Sequence, residues 1–255
     1  MLEFSVNGKK FSIVSDLHTH TTYSHGTGGI EDNVIAARAR GLKKIGIADH
    51  GPGHIAFGIK RSAIKKMRAE VDALNEKYDD IEVLLGVEAN ISDASGRIDV
   101  SADEFKIYDY VAAGIHFLAF GGNPVKSGLR SLNNFVNNRS KKSDNIKLMR
   151  RNTANVVKAL EKNNIKFLTH PGHNAPVDLL EIAIACAKTD TLVELNTSHQ
   201  SVTADDIGAM ALTDAKFIIS SDAHSPDHVG DFVASVRLAL DAGLDLDRIV
   251  NLRIS

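Results

Sequence analysis

Residues 10–25 run KFSIVSDLHTHTTYSH. Lys10–Leu17 is an apolar run of strand length that closes on Asp16-Leu-His18-Thr-His20, with His25 five residues further on. An apolar run of this length, stopped by acid and imidazole, predicts a buried strand whose end carries polar chemistry. Successive strand residues point to opposite sides, so Asp16, His18 and His20 are expected to share one face.

The same figure recurs along the chain. Further strand-length runs are Lys44–Ala48, Glu82–Ala89, Tyr108–Ile115, Lys166–Thr169, Thr191–Asn196 and Ala215–Ser221. They close in turn on Asp49-His50, Glu88, His116, His170, Glu194-Leu-Asn196 and Asp222-Ala-His224, of which the Glu194-Leu-Asn196 end is the weakest ligand candidate. Helical patterns lie between them at Glu31–Arg40, Ser62–Tyr78, Asn145–Asn163, Asp178–Ala187, Ala204–Leu212 and Phe232–Ala242. Seven apolar runs alternating with six helices predict a parallel α/β fold. No linker or low-complexity segment divides the chain, so residues 1–255 are expected to form a single domain.

In a parallel fold the C-terminal strand ends share one end of the molecule, where ligands gather. His18, His20, His25, His50, Glu88, His116, His170, Asp222 and His224 would then converge on one pocket. A single histidine at a strand end is usually a hydrogen-bonded structural residue. Nine ligand-type residues at one topological position call for a reason to pack together. Metal coordination supplies it, because neutral imidazole and carboxylate suit Zn²⁺, Fe or Mn²⁺.

Composition narrows the class. Of 255 residues, 30 are Lys or Arg and 32 Asp or Glu, so a formal charge of -2 gives no global pull toward nucleic acid or an anionic membrane. No apolar run approaches the ~20 residues of a membrane-spanning helix, and residues 1–10 lack the apolar core of a signal peptide. The expected location is cytoplasmic. Cys186 is the only cysteine, which excludes an internal disulfide and a multi-cysteine metal site.

Four of the 11 histidines fall outside the strand-end set. His54 and His173, in GPGH and HPGH, sit just beyond ligand positions and face either substrate or solvent. His199 and His228 lie in apparent loops and read as surface residues. Gly121–Lys142 is an irregular stretch with Lys126, Arg130, Arg139, Lys141 and Lys142 and no acid. It is either a solvated loop or an anion-binding segment, with Arg130 and Arg139 as candidates to hold a substrate's phosphate.

Taken in order, DLHTHT, ADHG, GVEANI, a His after VAAGI, THPG and SDAH resemble the PHP (polymerase and histidinol phosphatase) family. The resemblance is to its stand-alone, three-metal YcdX-type phosphatase branch. It implies a distorted seven-stranded (β/α)7 TIM-like barrel with metals at the C-terminal strand ends. It also implies a ligand partition. His18, His20, Glu88 and Asp222 would hold one metal; Glu88, His116 and His170 a second; His25, His50 and His224 a third. Three divalent ions, most simply zinc with iron or manganese as variants, are the implied cofactors, and relatives of this branch form trimers.

Three divalent cations against the carboxylates Glu88 and Asp222 would leave a strongly positive site, for which a phosphate ester is the natural ligand. The expected reaction is hydrolysis of a small phosphate monoester by a hydroxide bridging two metals. Asp16, His54 and His173 are the candidates for protonating the leaving alcohol, and Asp16 also for orienting ligands. No G-x-S-x-G elbow, G-x-x-x-x-G-K-[ST] loop or H-E-x-x-H motif offers another chemistry. The alternatives are a nuclease or phosphodiesterase acting on short oligonucleotides or nucleotides, a metal-dependent amidohydrolase, and a non-enzymatic site. No strand end carries the lysine that amidohydrolase barrels often use, and a closed structural site would not leave coordination positions open.

Overall fold

The first of the seven runs is two strands. In the computed structural model, β2 (Lys9–Ile13) and β3 (Ser15–Thr19) meet at Val14, whose N–H donates to the Asn251 carbonyl at 3.0 Å. β2 forms an antiparallel three-stranded sheet with β1 (Glu3–Val6) and β10 (Leu252–Ile254). β3 opens the barrel. The structure describes residues 3–6, 8–91, 94–116, 119, 146–173 and 175–254, so Arg130, Arg139 and the other basic residues of 121–142 lie outside it.

Seven parallel strands follow in chain order: β3, β4 (Lys44–Ile47), β5 (Glu82–Asn90), β6 (Tyr110–Gly114), β7 (Phe167–Leu168), β8 (Leu192–Asn196) and β9 (Phe217–Ser220). The barrel nearly closes at the C-terminal ends, where His20 N–H donates to the Ala223 carbonyl at 2.8 Å and Thr19 bridges Ala223 in parallel. All six predicted helices are present: α1 (Ile30–Ala39), α2 (Ile64–Lys77), α3 (Ile146–Lys162), α4 (Leu179–Lys188), α5 (Ala204–Met210) and α6 (Val233–Asp241). Their starts follow local chemistry. Asp178 caps α4 by accepting from Glu181 N–H at 3.0 Å, and Thr203 and Asp206 cap α5 reciprocally.

Two cores hold the molecule. The outer one lies between helices and barrel; α2 contributes Ile64, Met67, Val71 and Leu74, the three-to-four spacing of one buried helix face. The inner one is a plug of Leu17, Ala48, Tyr110, Ala112, Phe167, Leu192 and Ile218. Tyr110 donates its hydroxyl to the Leu17 carbonyl at 2.5 Å. Its side chain passes so close to β4 and β5 that a Cβ on Gly46 would lie 2.0 Å from its hydroxyl oxygen and one on Gly86 2.2 Å from its ring. The plug fills the barrel from below, and the polar strand ends sit on top of it, with the His18 and Phe167 ring centroids 6.1 Å apart.

β3 departs from simple alternation. Its register against β4 shifts between Asp16 and Thr19, so one extra residue is accommodated there. Leu17 therefore packs in the inner plug while His18 also turns inward. Asp16 does not share the face of His18 and His20. Its carboxylate turns toward β9, accepting from Ser221 Oγ at 2.5 Å and Gly230 N–H at 2.8 Å.

Candidate metal centre

Every strand end brings at least one polar residue to the same place. His20, His25, His50 and His224 offer nitrogens within 4.8 Å of one another; so do ligand atoms of His18, His20 and Glu88, and of His50, Glu88 and His116. His20 and His50 each join two groups, a more interlaced partition than the one the family resemblance implies. Glu88 is the hub. Its Oε1 lies 2.9 Å from His116 Nε2, 2.8 Å from His170 Nε2 and 3.4 Å from His18 Nε2, and its Oε2 lies 2.8 Å from His50 Nδ1. Asp222 Oδ1 stands 3.1 Å from His20 Nε2 and 3.5 Å from His18 Nε2.

The outer faces of these imidazoles are fixed by acceptors. The Glu194 carboxylate accepts from His18 Nδ1 at 2.7 Å, the Asn90 side-chain carbonyl from His116 Nδ1 at 2.7 Å, and the Asp222 backbone carbonyl from His224 Nδ1 at 2.9 Å. Asn90 is held in that sense because its amide donates to the half-buried Asp99 at 2.6 Å. With the proton on Nδ1, each ring keeps its lone pair on Nε2. The inward Nε2 of His18 and His116 therefore confronts other acceptors, and a lone pair facing a carboxylate is unfavourable without a proton or cation between them. His20 Nε2 lies 3.1 Å from His18 Nε2. Glu88 Oε2, Asp222 Oδ1 and the Nδ1 atoms of His20, His25 and His50 are buried without an aligned hydrogen bond, the 2.8 Å approach of His50 to Glu88 included. Orphaned acceptors around one void fit divalent cations, and His18, His20, His25, His50, Glu88, His116, His170, Asp222 and His224 are the residues that would hold them.

Without metals the site divides its charge by environment. Burial opposes charge on His18, but the Asp222, Glu194 and Glu88 carboxylates outweigh it and hold the pKa well above the ordinary histidine value. Burial equally opposes charge on Glu88 and Asp222, yet the surrounding histidines depress both far below the ordinary range. Burial wins at His25 and His116, pushed down to about 4, and at His54, pushed down to about 3.

Backbone strain marks the same places. Of the three non-glycine residues with positive φ among the described residues, two are His170 (φ 25°) and Asp222 (φ 55°). Such conformations persist where surroundings enforce them. At His170 the enforcing contact is its own N–H, which donates to Glu194 Oε2 at 2.7 Å. At Asp222 the preceding Ser221 is tied to Asp16.

The centre opens into a cavity of about 190 Å³ lined by His25, His50, His54, Phe57, Glu88, His116, His170, His199, Asp222 and His224. His199, expected at the surface, is a pocket residue: its Nε2 lies 3.7 Å from Asp222 Oδ2 and its ring stacks on His173 with centroids 4.0 Å apart. Asn196 accepts from His199 N–H at 2.7 Å and turns the loop inward. The stretch Glu194-Leu-Asn196-Thr-Ser-His199 held the signal for this, because a strand end with two polar residues predicts where the next loop goes. Glu194 matters more than a weak strand end suggests, since it holds both His18 and the His170 backbone. Phe57 gave no sequence signal. His54 lines the cavity, Asp16 does not, and His228 is exposed as expected.

Comparison with known proteins agrees with this geometry. The PHP domain family matches residues 16–198. The chain is 30% identical over 251 residues to a protein named probable phosphatase from Tolumonas auensis, covering 92% of this chain and 88% of that one. It is 28% identical to one from Shewanella frigidimarina, with the same coverage. Among solved structures, histidinol phosphate phosphatase from Lactococcus lactis, crystallised with zinc, L-histidinol and phosphate, superposes with a TM-score of 0.59 at 17% identity, covering 91% of this chain and 95% of that one. At that identity the likeness is one of fold. The chain belongs to the PHP domain family and stands there among relatives named probable phosphatases.

Proposed function

We propose that the protein is a metal-dependent phosphatase that hydrolyses small phosphate monoesters at a multinuclear His/Glu/Asp centre. One observation carries the reading: inward-facing Nε2 lone pairs and carboxylate oxygens converge on a cavity wide enough for a phosphate. When bound, divalent cations lower the pKa of water to about 7 and offset the charge of a phosphate ester. The solved relative holding zinc and phosphate supports both the metal and the ligand class.

The chain's own groups divide the remaining work. Glu88 lies at the centre of the imidazole cluster, where its carboxylate would be shared between adjacent ions. Glu194 and Asn90 keep His18 and His116 in the tautomer that presents Nε2 inward. His54 Nδ1 accepts from Phe57 N–H at 3.1 Å, so its proton sits on Nε2, available to hydrogen-bond the oxygen of the departing alcohol. In the reaction the ester P–O bond breaks, water supplies the new oxygen on phosphorus, and the alcohol leaves with a proton. Nucleic acid is a poorer fit, because the cavity is small and the chain near neutral.

The test is turnover of an aryl phosphate by metal-loaded protein, with and without chelator. Chelator-sensitive hydrolysis restored by added metal is the expected result. Metal-loaded protein that hydrolyses no phosphomonoester would overturn the proposal.

A further inference from the structure

The mouth of the cavity is built of ring faces. Phe57 lies on the glycine-rich loop after β4, 42% exposed, and stacks on His25 at 4.3 Å and on His54 at 5.1 Å between centroids. A single exposed phenylalanine is ordinary. This one, however, is held in place. Its N–H donates to His54 Nδ1, Gly58 N–H to the His54 carbonyl at 2.8 Å, His54 N–H to the Gly51 carbonyl at 3.1 Å, and Gly53 N–H to Asp99 at 2.7 Å. A Cβ on Gly58 would lie 2.6 Å from the Gly51 carbonyl oxygen, so the loop has no slack there. The result is a preformed apolar wall rather than a mobile flap.

His199 also lines the cavity and is backed by the stacked ring of His173. Counter-charge is missing: among the described residues lining the cavity, the only carboxylates are Glu88 and Asp222, and both face the imidazole cluster. Phe57 and His199 line the same cavity as the centre, so a phosphate drawn there would leave its alcohol within their reach. Flat faces with no spare acid suit a flat, uncharged group better than an ammonium.

We infer that the preferred substrate is a phosphate monoester whose alcohol carries a flat, uncharged ring, seated between Phe57 and the His199–His173 stack. This inference rests on the phosphatase proposal. Phenylethyl, butyl and aminobutyl phosphates test it, since all three release a primary alkoxide and differ in ring and charge. The metal-loaded protein is expected to show kcat/KM about five- to tenfold higher for the phenylethyl than for the butyl ester, in line with the gain from an aromatic pair. The aminobutyl ester is expected to be the poorest. Phe57→Ala should bring the phenylethyl-to-butyl ratio close to one, whereas Phe57→Trp, which keeps the ring and controls for loop damage, should preserve it. Equal kcat/KM for the two neutral esters, or a ratio unmoved by Phe57→Ala, would overturn the inference while leaving the phosphatase proposal standing. No turnover of any of the three by protein that hydrolyses an aryl phosphate would likewise overturn the inference alone; no turnover of the aryl phosphate either would overturn both.

Discussion

The Glu194 carboxylate accepts a 2.7 Å hydrogen bond from His18 Nδ1 with both side chains fully buried. Its other oxygen accepts from the His170 backbone and from Asn196, so one carboxylate holds histidines at the ends of two strands. Groups that fix metal-binding imidazoles in this way typically account for about 10- to 100-fold in metal affinity. Glu194→Ala is therefore expected to weaken metal retention by roughly that factor, measured by chelator competition, and Glu194→Gln less, because an amide oxygen still accepts. Unchanged retention in Glu194→Ala would contradict the role.

The metal-free protein should lose stability on mild acidification. His25, His116 and His173 fall to about 4 and His54 to about 3 in the folded state, all chiefly through burial. An unfolded histidine titrates near 6.5. Between about pH 6.5 and 4 the unfolded chain thus binds more protons, so stability rises with pH there and falls as pH drops. His18 and His170, raised by neighbouring carboxylates against the burial penalty, act in the opposite sense and are outnumbered. Thermal melts of chelated protein at pH 7 and 5 check this, with a lower midpoint expected at pH 5; an equal or higher midpoint there would refute it.

The inner plug makes a separate prediction. A Cβ at position 46 would meet the Tyr110 hydroxyl, so Gly46→Ala should destabilise by about 1–3 kcal/mol through overpacking. Tyr110→Phe removes that oxygen and its bond to Leu17, and should recover part of the loss in the double variant. Strictly additive effects in denaturant unfolding would show that the two residues do not meet.

Asp16 is expected to act through the turn that carries Asp222. It holds Ser221 and Gly230 and lies away from the cavity, so Asp16→Asn should lower metal retention and thermal stability together. The pH profile of the metal-loaded variant should keep its shape. Loss of the limb that reports the general acid, with metal retained, would return Asp16 to the chemistry.

Much of this architecture was legible in the residues because strand ends combine a period of two with an abrupt change from apolar to ligand-type side chains. That combination pointed to the parallel strands and to the residues that gather at Glu88, the helical periodicity between them supplied the six helices, and the closed barrel was what the resemblance to the PHP family implied. Other features depend on contacts distant in sequence. Phe11, Ile13 and Leu17 form one apolar run whether or not the chain changes sheets at Val14, and Glu3–Val6 and Leu252–Ile254 are too short to announce a sheet they build together. The extra residue between Asp16 and Thr19 reverses an alternation that sequence alone predicts to continue. How the histidines share their ligand groups depends on which ring nitrogen points inward, and that is set by Glu194, Asn90 and the Asp222 carbonyl. His199 read as surface because its place in the pocket comes from a turn tied to Asn196.

Metal content per chain tests the central claim most directly. Protein loaded with zinc or manganese, freed of loosely held ions and analysed for metal, is expected to retain two to three ions per chain, and Glu88→Gln distinctly fewer. Wild-type protein retaining less than one ion per chain, or Glu88→Gln retaining as many as wild type, would contradict a multinuclear centre built around Glu88.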